Sequence, residues 1–217
     1  MVGGAKILKL KHVKHMTNSP VYIFNTEKNI TTDKKFDEYY LLPAGFMDAF
    51  VVTDLHRKII YYDNNITALY FKKYLIEHWD TTKKSLWHII NDLKYNYSYS
   101  DYGIANFNEL TNKEKFDLNW NKLSNNDVFE KFNMIKYQAR ITYQVFDIVM
   151  NPMLCTLVEY NATKKYFWFS NCFDYAHTHT TEQQRNSYKI FNSSAKRHGL
   201  FIHGVDPIID DDVYGFL

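Results

Sequence analysis

The chain has 217 residues, 46% of them hydrophobic, and a formal net charge of +2. That length supports one large domain with an ample core, and so small a net charge gives no general pull toward nucleic acid. Two cysteines, Cys155 and Cys172, exclude a disulfide framework and a zinc pattern, and no run reaches the ~18 apolar residues of a membrane span.

In chain order, residues 5–13 alternate polar and apolar side chains and predict an edge strand, and 21–25 form a second short apolar run. Residues 49–62 predict a hairpin: Val51, Val52 and Leu55, a charged turn at 54–58, then Ile59, Ile60, Tyr61 and Tyr62. Asp63-Asn64-Asn65 ends the strand and caps a helix carrying Leu69, Tyr70, Phe71, Tyr74, Leu75 and Trp79 at three- and four-residue spacing. Asp80 caps another helix with Leu86, Trp87, Ile89, Ile90 and Leu93, and 94–108 is a Tyr-rich loop. Thr111 to Glu114 has the form of a capping box, predicting a helix to about Leu123. Ser124 to Asp127 opens another, with Val128, Phe129, Phe132 and Ile135 on one face.

Residues 139–150 are β-branched and aromatic, and either continue that helix or become a strand; Pro152 ends either. Residues 154–160 and 165–173 predict a second hairpin. A helix from Thr181 stops at the basic turn Lys196-Arg197-His198 and Gly199, and 200–205 is a last strand. The expectation is a single α+β domain over 1–217, an antiparallel sheet flanked by helices, with a mainly helical insertion at about 80–138.

Aromatic residues are abundant, with 18 Tyr, 16 Phe and 4 Trp. Asn, Lys, Ile and Tyr are common while glycine and proline are scarce, as in AT-rich coding. Many Tyr side chains also give an interior with polar handles, suited to pockets and interfaces. Five Asn-x-Ser/Thr sequons, at Asn29, Asn65, Asn96, Asn161 and Asn192, are what an Asn-rich chain yields by chance. The first residues show no apolar signal core, which predicts a cytoplasmic protein.

Residues 50–71 resemble the opening of the PAS sensor family. Val51, Val52, Thr53, Asp54, Leu55, Ile59, Ile60, Tyr61, Leu69 and Tyr70 follow that pattern without a gap. Arg57 replaces its turn glycine, Asp63 its cap asparagine, and Phe71 the glycine after the helix aromatic. Tyr70, Tyr74, Trp79, Asp80 and Trp87 also look like the pocket lining of the autoinducer-binding domain of LuxR-type regulators, itself PAS-like. Either resemblance implies a small-molecule pocket between sheet and helices, lined by Tyr61, Tyr70, Tyr74 and Trp87. It also implies a cytoplasmic signalling or transcription-regulation role, with a homodimer or an output protein as partner. No cofactor is specified.

Two other classes compete. His177-Thr-His179 places two imidazoles on one face of an extended segment, as a metal-dependent phosphoesterase or nuclease requires, with Asp174 or Asp206 to complete the shell. Both residues read more simply as solvated histidines before a helix cap. Tyr, Phe and Asn enrichment suits a non-catalytic viral or mobile-element assembly protein. Membrane and nucleic-acid partners are not indicated. The expected function is a ligand-binding sensor domain without its own output module, and non-enzymatic.

Overall fold

In a computed structural model, the residues described are 32–44, 46–54, 56–79, 121, 128–173 and 180–216. They form strands β1 (Glu38–Leu41), β2 (Lys58–Asp63), β3 (Arg140–Val145), β4 (Lys165–Ser170), β5 (Leu200–Asp206) and β6 (Asp211–Phe216). The helices are α1 (Met47–Val51), α2 (Ile66–His78), α3 (Val128–Gln138) and α4 (Thr181–Arg197). The six strands make one sheet in the order β3-β2-β1-β4-β5-β6. Every neighbouring pair is parallel except β5–β6, which is antiparallel.

The expected antiparallel sheet is therefore overturned. The physical reason is visible in the strands. All four residues of β1 and all six of β4 are buried, the signature of strands covered on both faces. Such strands lack the polar-apolar alternation that marks a sheet with one wet face. The predicted hairpin at 49–62 is also replaced: its first arm ends in α1, and only its second arm is a strand, lying between β1 and β3. Residues 154–160 form turns instead of a strand, so β4 pairs with β1 and β5. Residues 139–150 resolve as strand β3 and the turns after it.

Helices cover both faces. Leu41 and Tyr61 share one face, where the Tyr61 hydroxyl meets Asp48 of α1 and Lys72 of α2 pairs with that carboxylate. Tyr40 and Phe167 share the other, where Phe191 of α4 packs 5.6 Å from Phe167 and 5.0 Å from Phe169. Tyr62 lies on this second face and donates to the Trp168 carbonyl at 2.8 Å, tying β2 to β4 past β1. Chain order puts β2 and β3 on one side of β1 and β4 and β5 on the other, so the winding reverses between β1 and β4.

Local signals hold where they are strongest. Thr180 caps α4 in a capping box: its hydroxyl accepts from the Gln183 amide at 3.3 Å, and the Gln183 side chain accepts from the Thr180 amide at 2.8 Å. Gly199, at φ 61°, takes the left-handed conformation that ends the helix. The segments predicted at 5–13, 21–25 and 80–123 lie outside the described residues.

Candidate functional site

In an open, doubly wound sheet, ligands bind outside the carboxyl ends of the strands, beside the point where the winding reverses. The strand ends differ in chemistry: the amino ends mix cations with Asp37 and Glu38, whereas the carboxyl ends carry acids and amides. Arg57, Lys58, Arg140, Lys164 and Lys165 gather at the amino ends. Arg57 is already committed there, pairing with Asp37 at 3.1 Å and Asp54 at 2.8 Å. The carboxyl ends carry Asp63 and Asn64 after β2, Asp147 after β3, Ser170 and Asn171 at β4, and Asp206 at β5.

Asp63 is the notable group. It is the last residue of β2, half-buried, and its carboxylate accepts from the Asn65 amide at 2.7 Å and from the Asn64 amide. Desolvation still pushes its pKa up to about 7, aided by the nearby Asp147 carboxylate and against the two amides that favour charge. A carboxylate has about four acceptor positions, and two backbone amides leave room for further donors.

Around it the geometry is tight. Asn64 Nδ2 donates to Asp147 Oδ2 at 3.0 Å, joining residues 83 apart, and Asp147 Oδ1 accepts from the amides of Val149 and Met150 at 2.9 and 3.0 Å. At the end of β4, Ser170 has φ 55° and the register to β5 shifts. Non-glycine residues rarely adopt that backbone, and such strain clusters at functional sites. The Ser170 hydroxyl donates to Asn171 Oδ1 at 3.1 Å. Asp206 accepts from Tyr188 of α4 and from the Ile208 amide at 2.8 Å.

The residues expected to line a pocket are placed differently. Tyr61 is fully buried in β2, its ring stacked 5.6 Å from Tyr143 and its hydroxyl donated to Asp48. Tyr70 and Tyr74 are half-buried on α2, and Tyr74 stacks 3.9 Å from His78. Trp87, His177 and His179 lie outside the described residues. Among the described residues no group of three His, Cys, Asp or Glu side chains is placed to hold a metal ion. In the sequence Asp63 reads as the end of a strand and a helix cap. An acid closing an apolar strand is the signal that could have singled it out.

Fold and site together define a doubly wound α/β protein with an acidic carboxyl edge. Neither a family model, nor a curated protein, nor a solved structure matches the chain. Nothing in the comparisons bears on the PAS resemblance. No helix among the described residues is long and apolar enough to cross a membrane.

Proposed function

We propose that the protein binds a small ribose-bearing ligand of the nucleoside class at the carboxyl edge of its sheet, with Asp63 accepting hydrogen bonds from the ribose hydroxyls. One observation carries this reading: a half-buried carboxylate, with acceptor capacity left over, closes the strand next to β1 in a doubly wound sheet. The reading keeps the ligand-binding role expected of the sequence and moves the site from the tyrosines to the strand ends.

The 5′ substituent is neutral or cationic. The chain lacks a Gly-x-Gly-x-x-Gly run, α1 is a single short turn of five residues, and among the described residues the carboxyl strand ends offer Asp63, Asp147 and Asp206 with no lysine or arginine. A diphosphate would meet repulsion there instead of a cradle. We assign the protein a regulatory role in the cytoplasm, in which a second copy or an output protein reads the bound state. Neither of its two cysteines is in a disulfide, which suits a reducing compartment.

Thermal denaturation and calorimetry with adenosine and with 2′,3′-dideoxyadenosine test the reading. Adenosine raises the melting temperature in a concentration-dependent way, the dideoxy analogue does not, and Asp63→Asn removes the difference. Equal responses to the two compounds, or none from any ribonucleoside, overturn it.

A further inference from the structure

Several cations of this chain are spent on nearby acids. Lys72 pairs with Asp48, Arg57 with Asp37 and Asp54, Lys58 with Glu38, and Lys73 with Glu77. The outer face of α4 differs. Arg185, Lys189, Asn192, Ser193 and Lys196 recur at three- and four-residue intervals, so they line one side of the helix, turned away from the buried Tyr188, Phe191 and Ala195. Among the described residues none of these five side chains has an ion-pair or hydrogen-bond partner. The acid nearest them on the helix, Glu182, sits in the first turn, where it answers the helix dipole. Lys189, Asn192, Ser193 and Lys196 also line a groove of about 380 Å³. Its two lysines stand two turns apart, roughly 10 Å along the axis, with the amide and the hydroxyl between them.

We propose that this groove holds the phosphate backbone of a nucleic acid, a site that does not depend on the nucleoside reading above. Cations left without acids complement a polyanion, and the counterions that a polyanion sheds favour their union. Amide and hydroxyl donors between the lysines are the other groups that proteins place on phosphate oxygens. The described lining holds no aromatic ring to stack a base, and no apolar side chain to enter a lipid surface or seat the anchor of a peptide. Contact is therefore with the backbone, whatever the base sequence. The net charge of +2 conceals this face, because acids elsewhere, including those of the carboxyl edge, offset it.

Fluorescence anisotropy of a labelled mixed-sequence DNA duplex, titrated with the full chain at rising salt, tests the assignment. The logarithm of the affinity falls linearly with that of the salt concentration, with a slope of about −2 to −3 for contacts from Arg185, Lys189 and Lys196. Lys189→Gln with Lys196→Gln lowers that slope by about 2 and weakens low-salt binding at least about tenfold. Lys73→Gln with Lys131→Gln removes the same charge from α2 and α3 and leaves both quantities nearly unchanged. Lys189 and Lys196 are exposed, so their substitution leaves the fold intact. Absence of binding at low salt overturns the proposal, as do equal losses from the two double variants. Tighter binding of polyglutamate or of phosphatidylserine vesicles than of the duplex also overturns it.

Discussion

Lys72 of α2 and Asp48 of α1 form an ion pair sealed inside the protein, with Nζ 3.0 Å from Oδ2 and each side chain 1% exposed. Tyr61 donates to the same carboxylate, the Ala49 amide donates to its other oxygen at 3.0 Å, and the ammonium lies 5.1 Å from the Phe132 ring centre. Burial lowers the Lys72 pKa, and Asp48 pulls it back toward the charged form. The pair thus locks the short helix α1 to α2 and β2 on the face beneath the strand ends.

Removing one partner strands the other charge. Lys72→Met is expected to destabilise the fold by about 3–5 kcal/mol, because the Asp48 carboxylate stays buried without its cation. Lys72→Met combined with Asp48→Asn recovers a large part of the loss, since the substituted amide keeps an acceptor for Tyr61 and carries no charge. Urea denaturation of the two variants checks this; a double variant no more stable than the single would show that the pairing is not what matters.

Asp63 is expected to make stability and binding of the proposed ligand respond to pH in opposite senses. Its pKa rises from 3.8 unfolded to about 7 folded, so between those values the folded state holds a proton that the unfolded state has lost. Stability from this group therefore falls as pH rises from 4 to 7 and is flat above. Asp63→Asn is expected to be more stable than wild type at pH 8, with the gain vanishing as pH approaches 4. Ligand affinity moves the other way, climbing to a plateau above pH 7 as the carboxylate ionises into a better acceptor. A stability difference between Asp63→Asn and wild type that is the same at every pH would refute the assignment.

His203 opposes that trend. Its Nδ1 lies 2.8 Å from the Tyr166 hydroxyl in the core, and burial lowers its pKa to about 4 against the pull of Asp212. Below pH 6.5 the unfolded chain takes up a proton that the folded one refuses, so stability is lost as pH falls from 6.5 toward 4. His203→Gln is expected to flatten this acid limb in a urea-midpoint profile. An unchanged slope between pH 6.5 and 4 would assign the acid sensitivity elsewhere.

Gly204 is required by close approach. A Cβ there would stand 2.5 Å from Phe169 Cε2 and 2.5 Å from the Ser170 carbonyl oxygen, beside the register shift at the end of β4. The carbonyl cannot move without disturbing the ladder. Gly204→Ala is expected to lower stability by about 1–3 kcal/mol. Gly215→Ala on β6, where a Cβ meets nothing within 4 Å, is expected to change stability by less than about 0.5 kcal/mol. Thermal melts of the pair provide the measurement; equal effects would contradict the packing argument.

Much of the local structure was legible in the residues. Thr181 and Gly199 mark the start and stop of α4, because helix starts and left-handed stops are made by neighbours in sequence, although the capping box itself is formed one residue earlier, by Thr180 and Gln183. The runs at 59–62, 165–173 and 200–205 predict strands, and strands form at Lys58–Asp63, Lys165–Ser170 and Leu200–Asp206. The run at 38–41 went unread, since Glu38 and two tyrosines lack any alternation to betray a strand. Its position at the middle of the sheet is what makes the protein doubly wound.

Strand direction and order were settled only by the tertiary structure. A short apolar run has the same appearance whether it closes a hairpin or lies in a parallel sheet, because each merely removes the same side chains from water. The choice depends on helices folding back over both faces, a matter of packing between distant segments. Asp63 and Asn64 become a candidate site for the same reason: Asp147, which orients Asn64, arrives from 83 residues away, through a contact that no local pattern encodes.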